Sequence, residues 1–511
     1  MPSKTYSAQV TLLKAVPISV ETDIAKGLYQ FGIVGLPDKA VEEARDRVSA
    51  ALKNSGFKSP KQKNQKVVVS LSPADLKKEG SCFDLPIALS YLLAAGDLSF
   101  DPEKKLFVGE LTLSGALLPV RGALPIAREA KRRGYEELYV PNENVREAAL
   151  VEGIRVHGVS TLAELAAHFK KGEGRIPIPE APQTPIEPPP PDETIDFSDI
   201  KGQEFAKHGF LIAAAGGHNV GMYGPPGTGK TMLARAFAGI LPPLRGEEVF
   251  EVTSIHSVAG TLDGEIAVLP PFRAPHHTAS YVSLVGGGST PRPGEITLAH
   301  RGVLFLDEFP EFDKRVLESL RQPLEDGHVS VSRARGTASF PARFILVAAM
   351  NPCPCGFYGS DERRCACRPV DLAGYRRKLS GPIVDRIDLW LSVDQIEYGK
   401  LGEKTGARMN RAYAEKVEGA RARQRERFEK AGRPISRNSE MSVRDIEGLV
   451  ELSKEVRTLL DEGARRLALS ARGYHKTVKL ARTIADLDGA EAIGEKHMLE
   501  ALQYRPRFEI R

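Results

Sequence analysis

The 511-residue chain reads as an α/β protein: a phosphate-loop (P-loop) nucleotide core, an α/β region ahead of it and a charged helical region behind it. Two observations predict the core. The octapeptide Gly224-Pro225-Pro226-Gly227-Thr228-Gly229-Lys230-Thr231 follows an apolar run and opens a helix-like stretch. Its glycines let backbone N–H groups face an anion, Lys230 reaches the β- and γ-phosphates, and the Thr231 hydroxyl suits Mg²⁺. The following helix adds its positive end. The second observation is Gly302-Val303-Leu304-Phe305-Leu306-Asp307-Glu308, a buried-strand pattern ending in two carboxylates. Asp307 is placed to hold Mg²⁺ through water and Glu308 to polarise an attacking water.

The length predicts roughly two to four domains. Residues 171–195 hold eight prolines among Glu, Gln and Thr and are expected to form a semi-rigid extended spacer. Ahead of them, residues 1–170 show an amphipathic helix over Ala40 to Asn54, a strand at Val67-Val68-Val69 and a closing helix over Leu162 to Phe169. The nucleotide core is expected over 196–398. Residues 399–511 turn helical and charged, and 401–435 alone carry ten Lys/Arg against five Glu. A net charge of +5 neither establishes nor excludes a nucleic-acid partner. No apolar run approaches membrane-spanning length, and Met1-Pro2-Ser3-Lys4 lacks the apolar region of a signal peptide. Five cysteines in a chain of this length do not make a disulfide scaffold. A cytoplasmic protein is expected.

Within the core, Phe344-Ile345-Leu346-Val347-Ala348-Ala349-Met350 reads as a buried strand ending in Asn351, a polar side chain able to orient the lytic water. Val329 to Phe340 alternates, turns and alternates again, with Gly336 available for the turn and Arg333 and Arg335 near the tip. Cationic side chains there are suited to phosphates without reading sequence. Cys353-Pro354-Cys355 and Cys365-Ala366-Cys367 give two C-x-C pairs. Four thiolates suit a closed tetrahedral, structural Zn²⁺ site, with an iron–sulfur cluster or free thiols as the alternatives. The adjacent His276 and His277 are a further pair able to ligate a metal, although such pairs usually do not.

Two resemblances follow from these residues. Val108 to Gly115, Leu118-Pro119-Val120, Ala130 to Gly134 and Val140-Pro141 resemble the proteolytic domain of Lon proteases, of the ribosomal protein S5 domain 2-like type. Aligned on that family, the nucleophile falls on Cys82, with Ser81 one place early, and the lysine base falls on Leu124. A nucleophile needs a base, so a proteolytically inactive domain is expected. Gly381-Pro382-Ile383-Val384-Asp385-Arg386 resembles the arginine-finger segment of AAA+ ATPases of the chelatase and replicative-helicase clade. Ser470-Ala471-Arg472 resembles the start of that clade's second-sensor helix. Phe272 to Ser280 and Gly286-Gly287-Gly288 resemble the insertion of magnesium-chelatase-like AAA+ proteins.

Over nearly all its length the chain resembles the ComM/YifB competence-protein family. The resemblance implies an AAA+ P-loop ATPase core with a helical lid, using ATP and Mg²⁺. It implies a homo-oligomeric ring, taken as a hexamer, that binds DNA without sequence preference and acts as a branch-migrating helicase. In it, Arg386 and Arg472 serve catalysis beside Glu308 and Asn351, and the Arg333–Arg335 hairpin enters the pore. A chelatase-type motor subunit and a Lon-like protein unfoldase are the alternatives.

Overall fold

The computed structural model describes residues 2–187, 195–262, 265–288, 292–333, 336–359, 363–378, 381–395 and 407–506. The chain forms two compact units, Met1–Glu187 with Arg245–Val268, and Pro188–Leu244 with Leu269–Arg511.

The first unit holds a four-stranded sheet in the order Ser3–Thr11, Lys14–Lys26, Gln65–Ser72, Gln30–Val34. The first two pairings are antiparallel and the last is parallel. Gln65–Ser72 alternates as a one-sided strand should: Val67, Val69 and Leu71 are buried and Val68 is exposed. The helices Ala44–Asn54 and Asp84–Ala94 close over that face. A parallel three-stranded sheet, Lys105–Phe107, Glu137–Pro141 and Arg155–Val159, packs with the helix Ala123–Arg132. The predicted closing helix is present as Leu162–Phe169, capped by the Thr161 hydroxyl.

Two features of this unit differ from the sequence expectation. Residues 171–187 do not stand free as a spacer. Ile178 is buried, its N–H donates to His168 Nδ1 at 2.7 Å, and Ala181 N–H donates to Val156 O at 2.8 Å. The remaining Pro-rich stretch, 188–194, lies outside the described residues. Arg245–Val268, left inside the nucleotide core by the sequence, packs with the first unit. Its helix Glu247–Ala259 sets Phe250 into the apolar cluster around Leu124 and Ile126, and Ser257 Oγ accepts from Gly122 N–H at 2.8 Å.

The second unit is built on a five-stranded sheet in the order Phe272–Arg273, Val303–Leu306, Ile345–Met350, Val220–Tyr223, Leu389–Ser392, with every pairing parallel. Val303–Leu306 and Ile345–Met350 are buried at every position, as expected of parallel strands covered on both faces. Helices Glu204–Gly216 and Lys230–Ala238 share one apolar core with the C-terminal helices Asn410–Lys430, Lys454–Arg466, Ala471–Leu487 and Glu495–Gln503. No described helix is long and apolar enough to cross a membrane.

A buried ionic knot ties three C-terminal elements together. The fully buried Asp486 accepts from Arg427, from Arg482 Nη2 at 3.0 Å and from Asn438 Nδ2 at 2.8 Å. Removing one partner of such a cluster leaves uncompensated buried charge. Asp486→Ala is expected to destabilise the second unit by about 3–5 kcal/mol, read as a lower denaturation midpoint. A midpoint equal to that of the wild type would show the knot to be dispensable.

Candidate nucleotide-hydrolysis site

Because the strands of the core sheet run the same way, the residues that follow them gather at one edge. Gly224 follows Val220–Tyr223, Asp307 follows Val303–Leu306 and Asn351 follows Ile345–Met350. Gly224 leaves no room for a side chain: a β-carbon there would lie 2.0 Å from Val393 O. Gly227 and Gly229 take left-handed backbone (φ 78° and 86°) with open space where a β-carbon would stand, so the loop is a cradle that side chains would fill. The Thr228 hydroxyl donates to Pro225 O at 2.9 Å and closes the turn.

Lys230 is buried. Its ammonium donates to Gly224 O at 2.8 Å, Pro225 O at 2.7 Å and Asn351 Oδ1 at 3.2 Å. Burial lowers its pKa, since desolvation disfavours the charged form. The Thr231 hydroxyl donates to Asp307 Oδ2 at 2.9 Å, and Asp307 Oδ1 accepts the Glu308 N–H at 2.9 Å. Glu308 takes left-handed backbone (φ 50°), a conformation that marks functional sites when a residue with a β-carbon holds it. The edge thus brings together the loop, Lys230, Thr231, Asp307, Glu308 and Asn351. This set fits ATP with Mg²⁺: amides and an ammonium for phosphate, and a hydroxyl paired with a carboxylate for the cation.

Arg386 and Arg472 lie at the other edge. Arg386 precedes Leu389–Ser392, and its carbonyl accepts from Asn219, which precedes Val220–Tyr223. Its buried guanidinium pairs with Glu325 and donates to Pro382 O, and its Nε has no partner among the described residues. Arg472, in the first turn of Ala471–Leu487, pairs with the same Glu325 carboxylate. The two guanidiniums, Arg386 first, hold Glu325 below the usual carboxylate range. A cavity of about 710 Å³ opens at this edge, lined by Glu325, Arg343, Arg386, Asp388, Arg472 and Lys476 among others.

The four cysteine Sγ atoms lie within 4.8 Å of one another. Three separations are 3.3, 3.5 and 3.8 Å, against about 3.8 Å for thiolates around a tetrahedral zinc with 2.3 Å bonds. The N–H groups of Phe357 and Ala366 hold the Cys355 thiol down to about 6. The cysteine loop leans on the nucleotide cradle: a β-carbon on Gly356 would meet Pro226 at 2.6 Å, and the Tyr375 hydroxyl donates to Asn351 O at 3.1 Å.

The hairpin forms from His328–Arg333 and Gly336–Pro341. Gly336 is not the turn residue the sequence suggested; it opens the return strand opposite Arg333. Arg335 lies outside the described residues, and Arg333 is placed by its backbone alone. In the first unit, Cys82 is pushed up to about 12 by burial, and its Sγ faces Ala8 O at 4.0 Å. Lys78 is spent on Pro73 O, Ser81 donates to Glu110, and Leu124 is buried.

Sequence reasoning missed three residues here. Glu325 and Tyr375 carried no motif. His277, weighed only as a metal ligand, lies with its Nδ1 3.0 Å from Glu308 Oε2.

Three family models match the chain: "Magnesium chelatase, subunit ChlI" over residues 196–401, "Subunit ChlI of Mg-chelatase" over 20–144 and "Magnesium chelatase, subunit ChlI C-terminal" over 408–505. The chain is 42% identical over 510 residues to the competence protein ComM of Haemophilus influenzae, covering 99% of this chain and 97% of that one. It is 41% identical to the uncharacterized protein YifB of Salmonella typhimurium, covering 96% and 95%. The magnesium-chelatase 38 kDa subunit of Cereibacter sphaeroides is 25% identical over 59% of this chain and 88% of its own. With relatives of this identity along its whole length, and with the P-loop edge described above, the chain belongs to the ComM/YifB family of magnesium-chelatase-like AAA+ proteins.

Proposed function

We propose that the chain is an ATP-driven DNA motor, a homo-oligomeric and taken as hexameric cytoplasmic ring that moves branched DNA during recombination in natural transformation. One observation carries the reading. The phosphate cradle and its carboxylates occupy one sheet edge while Arg386 and Arg472 occupy the other. An arginine that stabilises a transferring phosphoryl group must reach it, so these two serve a neighbouring copy's nucleotide. In this reading Lys230 and the loop amides bind the phosphates and Thr231 and Asp307 hold Mg²⁺. Glu308 accepts a proton from the attacking water that Asn351 helps orient. Arg333 and Arg335 grip DNA phosphates. The setting in transformation is supported by the Haemophilus influenzae relative, a competence protein, which aligns with nearly the whole chain. The magnesium-chelatase subunit aligns with a smaller share of this chain, which favours the DNA motor over a chelatase motor. In the first unit the half-buried Cys82, its thiol pushed up by desolvation, and the engaged Lys78 support an inactive Lon-like domain rather than a protease.

We assign Zn²⁺ to Cys353, Cys355, Cys365 and Cys367 as a structural ion. Four sulfurs close the coordination shell, and the loop they fix borders both Asn351 and Pro226.

Glu308→Gln is expected to retain ATP binding and lose roughly 10²-fold or more in turnover, while Lys230→Ala loses binding itself. Near-wild-type turnover in Glu308→Gln would remove the assigned base. The wild type should displace a labelled strand from a four-way junction with ATP, less so as salt rises. The double Arg333→Ala, Arg335→Ala variant should displace less while hydrolysing ATP normally without DNA. Absence of displacement and of DNA-stimulated turnover in the wild type would leave the chelatase-type motor.

Mixing Arg386→Ala subunits with Glu308→Gln subunits should restore part of the ATPase activity that each lacks alone, because some interfaces regain one intact copy of each residue. No restoration at any mixing ratio would place Arg386 in its own chain's chemistry or outside chemistry altogether.

Purified protein should carry about one zinc per chain by metal analysis, and replacing one cysteine pair with serine should abolish it. Visible absorbance of an iron–sulfur cluster, or a metal-free protein of full activity, would overturn the assignment.

A further inference from the structure

The amino edge of the core sheet carries an ion pair that the hydrolysis reading does not use. Asp388 stands two residues after Arg386, and its Oδ1 accepts from Lys476 Nζ at 2.7 Å, with the side chains 9% and 15% exposed. Lys476 lies one turn after Arg472 on the helix Ala471–Leu487, so the two cations share a helix face. Both line the cavity at this edge. Asp388 and Lys476 therefore tie the segment that carries Arg386 directly to the helix that carries Arg472. Glu325 makes a second tie between the two guanidiniums themselves.

The two ties differ in kind. Glu325 is 39% exposed and belongs to a third element, the helix Arg321–Asp326, so an arriving phosphate can take the guanidiniums from it. Asp388 is fixed to the sheet by its own contacts. Its Oδ2 accepts from Asn219 N–H at 2.8 Å, its N–H donates to Asn219 O at 2.8 Å, and its carbonyl accepts from Arg505 Nη1 at 3.0 Å. Asn219 Nδ2 also donates to Arg386 O at 3.1 Å, so one residue pins both Arg386 and Asp388. Burial opposes the charge on Asp388, yet Lys476 and the nearby His218 hold its carboxyl well below the usual range. The far end of the helix Ala471–Leu487 is held by the Asp486 knot. The near anchor, Lys476, sits one turn from Arg472.

We propose, resting on the reading that Arg386 and Arg472 act on a neighbouring copy's nucleotide, that Asp388 and Lys476 are positioning residues that lock these two arginines into one rigid phosphate clamp. When phosphate displaces Glu325, the tie between the guanidiniums is lost, and the buried pair still fixes the spacing of the two segments. Both arginines then meet the transferring phosphoryl group in one geometry. The pair sets the rate of the chemical step in the next copy and leaves nucleotide binding in its own chain unaffected.

The test is ATP turnover by the full-length protein for Lys476→Met, the double variant Asp388→Asn with Lys476→Met, Arg386→Ala and Glu308→Gln, each by itself and in mixtures. Lys476→Met is expected to lose roughly 10- to 100-fold in kcat, the range that a misplacement of about 1 Å costs. Its KM for ATP should stay within about twofold of wild type. The double variant removes a buried pair rather than stranding one charge, so its denaturation midpoint should lie near that of the wild type while its kcat stays low. A double variant with both midpoint and kcat near wild type would show that the pair serves stability only, and would overturn the lock. Mixed with Glu308→Gln subunits, the double variant should regain part of its turnover, because its own cradle is intact and the partner supplies an intact clamp. Mixed with Arg386→Ala subunits it should regain none, because both lack the same face. Restoration by Arg386→Ala would overturn the lock. So would failure with Glu308→Gln under conditions where Arg386→Ala and Glu308→Gln restore each other. Failure of that last mixture is a separate result, because it would unseat the reading in trans on which the lock rests.

Discussion

Five strands that all run the same way give the second unit two unlike edges, and its chemistry follows from that polarity. At the carboxyl edge the chain must turn out of each strand, and there it supplies a glycine loop, a carboxylate pair and an asparagine. At the amino edge it supplies Arg386 and a cavity where Arg343, Arg386, Arg472 and Lys476 stand with Glu325 and Asp388. Crevices beyond the carboxyl ends of parallel strands are where open α/β sheets bind ligands. Here the buried Lys230 makes that crevice specific for an anion: its ammonium rests on two loop carbonyls and Asn351. Taking that charge out of water is costly, and burial already lowers its pKa. An arriving phosphate supplies the counter-charge that the loop carbonyls only approximate.

Asn351 is the junction between this edge and the cysteine loop. Its side chain accepts from Lys230, its carbonyl accepts from Tyr375, and Cys353 follows two residues later. The helix Pro369–Lys378 that carries Tyr375 also reaches the turn after Glu308, where Lys378 pairs with Glu311 at 2.7 Å. The loop that carries the four cysteines, with the helix after it, therefore borders the cradle through Gly356 and Pro226, Asn351 through Tyr375, and the turn after Glu308 through Glu311. Such a surround limits how far each group can drift. Positioning within a fraction of an ångström is what a hydrolytic centre requires.

What was legible in the sequence was whatever a local rule enforces. Val303–Leu306 and Ile345–Met350 read as strands because both faces are covered and every position must be apolar. The loop was legible because only glycine tolerates the backbone at 227 and 229. The amphipathic helix near 40–54 was legible by period, but not its division into Lys39–Glu42 and Ala44–Asn54. Choices made between distant segments were not legible. Glu247–Ala259 has a helix's pattern whichever core it joins, and nothing local says that Phe250 packs beside Leu124. Residues 171–187 look like a spacer by composition, yet Ile178 and the Ala181 N–H find partners across the unit. His277 and Glu308 meet because adjacent parallel strands carry them to one edge, a fact of register rather than of motif.

The amino edge carries a charge imbalance with a direction. Glu325 pairs with both Arg386 and Arg472, and one carboxylate cannot neutralise two guanidiniums. Arg386 is buried and leaves Nε unsatisfied among the described residues, while Arg472 is half exposed. A buried donor without a partner costs stability in the isolated chain. It is tolerated where a ligand completes it. In the ring proposed above, that ligand is the phosphate held at the carboxyl edge of the next copy, and Glu325 is its competitor. The competition is lopsided, since a carboxylate brings one negative charge and a nucleotide's terminal phosphates bring several. The second unit's two edges are then complements: one gathers negative charge around a bound nucleotide, and the other presents surplus positive charge that its own sheet cannot use.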